Sequence, residues 1–395
     1  MDSKDPAFGG VEGQSPPPSG PHRSVPPETT LARLQPLLSS VGITRLAVLT
    51  GLDVVGIPVV AAYRPNSRSI AVHQGKGRTL AAAKVSAVME AVECFHAEAF
   101  DGPLRLGRAD ELSRHGEVAV VERLPLTGRT DPHAARVLWT EARDLATGRA
   151  LFVPYELVSA DFSADAPAGF GVFQQTTNGL GSGNEPIEAR LQGLFEVVER
   201  DAVARWHGLS AGEQAACAVD PASVETPAST WLLERLAAAH VSVRLWDITA
   251  ESGLPAYLAL AWSVDGVVGI EPESGAGCHA SADVALARAL AEAAQARLTR
   301  ISGARDDFSP ASYAVSARVE RQDTAERLSR LPPARRFRPV AGAATAEADL
   351  DNALAALARA GCSQVACVDL TRKEIGIPVA RIIVPGLRAP VEEPA

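Results

Sequence analysis

The sequence predicts a single α/β domain built from repeated strand–helix units, and three observations carry that prediction. Helical and strand-like segments alternate along nearly the whole chain. A G-x-G stretch precedes a helix with an acid pair, or an acid and an amide, three times. Gly75-Lys76-Gly77 stands fifteen positions, glycine to glutamate, before Glu90-Ala91-Val92-Glu93. Gly181-Ser182-Gly183 stands fifteen before Glu196-Val197-Val198-Glu199, and Gly275-Ala276-Gly277 seventeen before Glu292-Ala293-Ala294-Gln295. The i, i+3 spacing places both members of each pair on one helix face. Finally, Gly56-Ile57-Pro58-Val59, Gly253-Leu254-Pro255-Ala256 and Gly376-Ile377-Pro378-Val379 repeat at positions that read as strand starts, where proline is tolerated. Coincidence in a Gly- and Ala-rich chain is the competing explanation of that last repeat.

Residues 1 to 27 are polar and rich in Pro and Gly, too poor in apolar side chains to pack. They read as a disordered leader, dispensable for folding, outside a domain spanning 28–395. A short amphipathic helix follows from Thr30 to Ser40. Strands are expected at Leu46–Thr50, Val54–Ala62 and Ile70–His73. The first signature helix covers about 79 to 101. Residues 103 to 175 alternate polar turns with short strands at Val118–Val121, Val137–Trp139 and Leu151–Val153. The central helix covers 185 to 207, with Pro186 suited to its first turn. Next come a helix at 229 to 239 and strands at Val241–Trp246, Ala256–Trp262 and Val267–Ile270. The third signature helix runs from 281 to 300. An arginine-rich, partly irregular stretch (303 to 341) precedes a helix at 345 to 360 and strands at Val365–Asp369 and Ile377–Val384.

The central helix has apolar residues (Ile187, Leu191, Leu194, Phe195, Val198) at helical spacing, together with Glu188, Glu196, Glu199 and Arg200. At about 100° per residue, Glu188 and Glu199 lie roughly 20° apart and Glu196 about 60° from Glu199. Carboxylates crowded on one face repel unless a cation sits between them. A solvated face with Arg200 as local partner is the plainer alternative for one helix; recurrence on three helices favours a shared site. Glutamates without histidine or cysteine suit a hard cation, above all Mg²⁺, which is usually completed by substrate phosphates. Glycine turns opening helices would supply N–H groups for those anions. Neither the G-x-x-x-x-G-K-[ST] loop nor the G-x-G-x-x-G fingerprint is present.

Other features set limits. A net charge of −9 argues against nucleic acid as a partner. No apolar run is long enough to span a bilayer. Five scattered cysteines without a C-x-x-C pair argue against a zinc site or disulfide framework and fit a reducing cytoplasm. His96 makes E-x-x-H with Glu93, half of a di-iron helix motif, but no second copy occurs on the other signature helices. Cys278 and His279 read as packing residues.

Three segments carry a resemblance: Ser86-x3-Glu90-x2-Glu93, then Asn184-x3-Glu188-x7-Glu196-x2-Glu199-Arg200, then Glu292-Ala293-Ala294-Gln295-Ala296-Arg297. Over residues 45 to 387 the chain resembles the YcaO family, ATP-dependent enzymes that activate backbone amides of peptides. The resemblance implies a YcaO-like α/β fold with pseudo-repeated βα units around a central Mg-nucleotide site. It implies that Glu90, Glu93, Glu196 and Glu199 hold Mg²⁺ and that Ser86, Asn184, Glu188 and Arg200 contact ATP. Glu196, Glu199 and Arg200 would be the catalytic group. Lys76 is a candidate phosphate ligand, and Arg297 the expected arginine of the third segment, with Arg305 competing although Asp306 and Asp307 offer it partners.

The activity so implied is phosphorylation of a backbone amide oxygen in a ribosomally made precursor peptide. A neighbouring Cys, Ser or Thr would give an azoline, an amine an amidine, and external sulfide a thioamide. Two departures stand out: Cys94 follows Glu93 where many relatives have arginine, and Pro385, Pro390 and Pro394 do not make the tight P-x-P-x-P tail of many azoline formers. With no peptide-clamp domain evident, a separate partner for peptide delivery or sulfur supply is expected, as is a homodimer. The alternatives are a non-catalytic ATP-binding scaffold and a ligase that adenylates a carboxylate.

Overall fold

One arrangement of three strands and a long helix occurs three times around the centre of the molecule. The computed structural model describes residues 22–163, 167, 169–263 and 271–388. In the first unit, strands Arg45–Val48, Val59–Tyr63 and Val72–Lys76 form an antiparallel sheet and lead into the first signature helix, Leu80–Glu98. In the third, Val241–Asp247, Ala256–Ser263 and Glu273–Cys278 lead into Ala282–Ser302. The central unit is assembled from distant segments. Strand Leu180–Ser182, which precedes the central helix Pro186–His207, pairs with Val379–Ile383, and that strand pairs with Ala366–Asp369.

The glycine–proline repeat marks the same place in all three units. Gly56, Gly253 and Gly376 have φ of 69°, 72° and 67°, a left-handed conformation open to glycine at little cost. Each ends a turn before the middle strand of its unit. The carbonyl of the following proline then accepts from the neighbouring strand: Gly77 N to Pro58 O at 3.1 Å, His279 N to Pro255 O at 3.1 Å, Gly183 N to Pro378 O at 3.2 Å. A threonine hydroxyl accepts the first strand N–H in each turn, Thr50 from Val59, Thr249 from Ala256 and Thr371 from Val379.

The G-x-G stretches are not turns, as the sequence reading has them, but the inner strands themselves or their ends. Their glycines let a strand lie directly on the helix that follows. A Cβ on Gly75 would come within 1.9 Å of Ala87 N, one on Gly181 within 2.2 Å of Ala189 O, and one on Gly277 within 2.1 Å of Ala285 O. Among these strands and their flanks only Gly179 has positive φ, at 86°. The apolar faces so brought together are deeply buried, with Leu194, Leu286 and Leu290 fully enclosed. Burial of each such side chain stabilises the fold by about 1.5–3 kcal/mol.

The second expected strand is shorter than Val54–Ala62 because the Gly56 turn precedes it, and the helix at Thr30–Ser40 is observed as Pro27–Leu34 plus a 3₁₀ turn. Residues 103 to 163 widen the sheet of the central unit, mainly through strands Val137–Asp144 and Ala150–Pro154. The stretch read as partly irregular contains the helix Val315–Ser329. Only Ala325 and Leu328 of that helix are buried, so it shows no apolar period; Arg321 ties it to Glu271 at 2.6 Å. The strand expected at Val267–Ile270, most of the 1–27 leader and the last two tail prolines lie outside the described residues. His22 to Pro26, read as part of that leader, lie against the body of the protein: Arg23 and Ser24 both bond Glu188.

Candidate active site

The three long helices turn one face each toward a common cavity of about 680 Å³. Glu90 and Glu93 line it from the first signature helix, Glu196, Glu199 and Arg200 from the central helix, and Arg288, Glu292 and Gln295 from the third. The i, i+3 spacing and the close strand–helix contacts together produce this convergence. Lys76, at the end of its strand, and Arg305, in the loop after the third helix, reach the same space. Lys76 Nζ bonds Glu292 Oε2 at 2.9 Å.

Burial raises four of these acids, and the fifth is lowered. Burial pushes Glu90 up to about 7, partly opposed by Arg305 and Lys76. Burial pushes Glu93 up to about 8 and Glu196 to about 7. Neighbouring acids add to both rises; the Ser182 hydroxyl, donating to Glu93 Oε1 at 2.6 Å, and Arg200, facing Glu196, work the other way. Glu199 is raised by burial and then by Glu292; the backbone N–H of Cys278 donates to it at 3.0 Å. Glu292 runs opposite: burial would raise it, but Lys76 and Arg200 hold it below the usual range. These five carboxylates in one cavity, with Lys76, Arg200, Arg288 and Arg305 around them, form a site that welcomes a further cation and polyvalent anion together.

Among the described residues no three His, Cys, Asp or Glu side chains converge as a ready-made metal cluster. A Mg²⁺ site shared with phosphate needs only one or two protein carboxylates, the rest of the shell coming from phosphate and water. The all-carboxylate donor set and the raised carboxyls, which a divalent cation would discharge, fit Mg²⁺. His96 is turned away from such a role: its Nδ1 pairs with Val92 O at 2.7 Å inside the core.

A carboxyl with a raised pKa in the folded protein keeps its proton after the unfolded chain has released it. Stability without ligand is therefore greatest at low pH in this respect and is lost as pH rises from about 4.5 through about 7 to 8. The unfolding midpoint is expected to fall between about pH 5 and 8, while the stabilisation given by Mg-ATP grows over the same window. A midpoint flat across this range, with an unchanging ligand effect, contradicts the raised carboxyls.

Ser86, Asn184 and Glu188 also line the cavity. Burial alone would raise Glu188, but the Ser24 N–H at 2.8 Å and Arg23 at 3.0 Å hold it below the usual range. Thr30 donates to Asn184 Oδ1 at 3.0 Å, so the chain from 23 to 30 forms part of this wall. The polar text of that segment hid it from the sequence reading. Arg288 was missed as well, although its i, i+4 relation to Glu292 places it on the acidic face; it bonds Gln192 at 3.0 Å.

Arg297 does not reach the cavity. Its side chain is fully enclosed and forms a two-pronged pair with Asp53 at 2.8 and 3.0 Å, clamping the third helix to the turn before Val59. Arg305, its competitor, does reach the cavity, although it also bonds Asp307. Arg297→Ala is expected to lower stability by about 3–5 kcal/mol by stranding a buried aspartate. Arg305→Ala should leave the urea midpoint nearly unchanged and weaken ATP binding. The reverse pattern in urea titrations and ATP isotherms contradicts the assignment.

Residues 74–388 match the family model described as YcaO cyclodehydratase, ATP- and Mg²⁺-binding. A Rhizobium leguminosarum bv. trifolii protein, described as uncharacterized and encoded in a tfuA 3′ region, is 36% identical over 382 residues, covering 93% of this chain and 89% of its own. An uncharacterized Methanothermobacter thermautotrophicus protein is 34% identical over 391 residues, covering 92% and 94%. The solved YcaO of Methanopyrus kandleri, bound with AMPPCP and Mg²⁺, has a TM-score of 0.72 at 26% identity over 92% of each chain. A heterocyclase in complex with substrate and cofactor shares the fold with a TM-score of 0.76 at 22% identity, and the chain spans 53% of that protein's length.

Proposed function

The chain belongs to the YcaO family, whose cofactors are ATP and Mg²⁺, and from that premise we propose that it activates backbone amides of a ribosomally made precursor peptide. The observation that carries the proposal is the cavity onto which Glu90, Glu93, Glu196 and Glu199 converge, where raised carboxyls face Lys76, Arg200, Arg288 and Arg305 across one space. In this reading Glu90, Glu93, Glu196 and Glu199 hold the metal. Ser86, Asn184 and Glu188 bind the nucleotide, with Arg23 and Thr30 behind the last two. Lys76, Arg200 and Arg305 face the phosphates. Bound Mg-ATP supplies the phosphoryl group for the amide oxygen.

The residues' part is positioning and charge neutralisation, on which phosphoryl transfer mainly depends. Arg200 sits between the two acid pairs, its charge sustained by Glu199, Glu292 and Glu196 against the cost of burial. In this reading it neutralises charge that develops on the phosphates. Lys76, paired with Glu292 in the structure, would leave that pair to meet a phosphate. The cavity walls, including Leu180, Leu191 and Phe195, limit water around the reacting atoms.

The proposal extends to an azoline, amidine or thioamide product, a separate partner for peptide delivery or sulfur supply, a cytoplasmic homodimer, and a domain beginning near residue 28 with its short N-terminal strap. No helix among the described residues is long and apolar enough to cross a membrane. Incubation with ATP, Mg²⁺ and a peptide encoded beside the gene tests the activity. ADP and phosphate with loss of one water per site are expected for azoline or amidine, and oxygen-to-sulfur exchange for thioamide. Release of AMP and pyrophosphate indicates a carboxylate-adenylating ligase, and ATP binding without turnover of any peptide indicates a scaffold; either overturns the proposal.

A further inference from the structure

Two arginines with no acidic partner among the described residues flank one tryptophan at the side of the cavity. The Arg78 guanidinium lies 4.6 Å from the centre of the Trp231 ring, and that of Arg235 lies 4.8 Å from the same ring. Arg78 directly follows Gly77 and lines the cavity; its Nε is enclosed with no hydrogen-bond partner. Arg235, one helical turn beyond Trp231, is exposed, with its Nη1 over the backbone at Gly56. The stack thus runs from open surface to cavity wall.

Among the described residues neither guanidinium has a carboxylate within 4 Å. The acid near Arg78, Asp283, is engaged elsewhere: it accepts from the N–H groups of Ala228 at 3.2 Å and Ser229 at 3.0 Å and from the Ser229 hydroxyl at 2.7 Å. The chain carries 47 acidic and 38 basic residues, so acids to pair with are not scarce. An indole face attracts a cation but does not satisfy its N–H donors, and a guanidinium edge is shaped for a carboxylate. Val54 and Leu80, close along the chain to Gly56 and Arg78, are 69% and 42% exposed. Paired cationic edges beside exposed apolar side chains suit a polypeptide with acidic and aliphatic residues better than a bare phosphate.

We propose that the Arg78–Trp231–Arg235 stack docks an acidic segment of the peptide substrate and leads the adjoining segment into the cavity. This rests on the reading of the cavity as a peptide-activating site. The carboxylates of the segment bond the free guanidinium edges, and its aliphatic side chains cover the apolar flank.

Fluorescence anisotropy of the full chain tests it, with a fluorescein-labelled peptide of repeated Gly-Glu-Leu as probe and its Gly-Lys-Leu counterpart as control. The glutamate peptide is expected to bind and the lysine peptide not. Arg78→Gln and Arg235→Gln should each weaken binding at least fivefold, and Arg235→Lys less than Arg235→Gln. Saturating Mg-ATP should not displace the probe. Absence of glutamate-peptide binding, equal binding by both arginine-to-glutamine variants and the unaltered protein, or displacement by Mg-ATP overturns the proposal. Arg235 is on the surface, so its variants remain informative if Arg78→Gln fails to fold. Thermal stabilisation by Mg-ATP, measured on the same samples, reports separately on the nucleotide site: its persistence alongside lost or absent peptide binding defeats the docking site alone.

Discussion

Gly75→Ala is expected to abolish the folded state or to destabilise it by more than about 4 kcal/mol, beyond the range of ordinary overpacking. The added Cβ would meet Ala87 N at 1.9 Å and Ala83 O at 2.4 Å, both backbone atoms of the first signature helix. No rotamer relieves such a clash; the strand and helix must separate. That separation would also move Ser86 and Glu90, which lie on the same stretch of helix. Gly212→Ala provides the control. A Cβ there meets nothing within 4 Å, in the short helix Ala211–Ala216, so the midpoint should hold or rise slightly. Denaturant midpoints for the two variants that differ by less than about 1 kcal/mol contradict the close-contact role of the G-x-G strands.

The second large effect is on activity. Glu196→Gln and Glu199→Gln keep side-chain shape and remove the negative charge that would hold Mg²⁺. Each should reduce ADP release by roughly 10²–10³-fold while circular dichroism stays unchanged. Without ligand both variants should be at least as stable as the unaltered protein at neutral pH, because burial and like charges already disfavour these carboxylates. Helix-surface acids paired with Arg200 would behave otherwise, losing at most about 1 kcal/mol of stability and keeping turnover. Glu199→Gln can still accept the Cys278 N–H through its amide oxygen, so lost turnover there reports charge more than packing.

The acid pairs were legible because a short period on an apolar helix leaves few ways to place two carboxylates. The α/β class and the threefold repeat were legible for a related reason: glycine at a left-handed turn and proline at a strand start are positional requirements. Two of the three inner strands were not. Leu180–Ser182 and Glu273–Cys278 are short and glycine-rich, with little of the β-branched character that marks a strand. Their strand character comes from the neighbours they pair with, one of them about 200 positions away. Arg297 shows the same limit at the site. Its spacing fixes a helix face, but the choice between cavity and core is made by Asp53, 244 positions distant in sequence. The Arg23–Thr30 wall is held by hydrogen bonds to Glu188 and Asn184, which leave no apolar pattern to read.

The central claim is that the converging glutamates bind metal and nucleotide as one unit, and the Mg²⁺ dependence of ATP stabilisation tests it most directly. Thermal unfolding is followed with neither ligand, with Mg²⁺, with ATP and with both. A ligand specific for the folded state at a hundredfold excess over its Kd stabilises by about 2.7 kcal/mol. That full effect is expected only with Mg²⁺ and ATP together, and the joint shift should exceed the sum of the separate ones. An ATP shift that is the same with Mg²⁺ and with EDTA contradicts the claim.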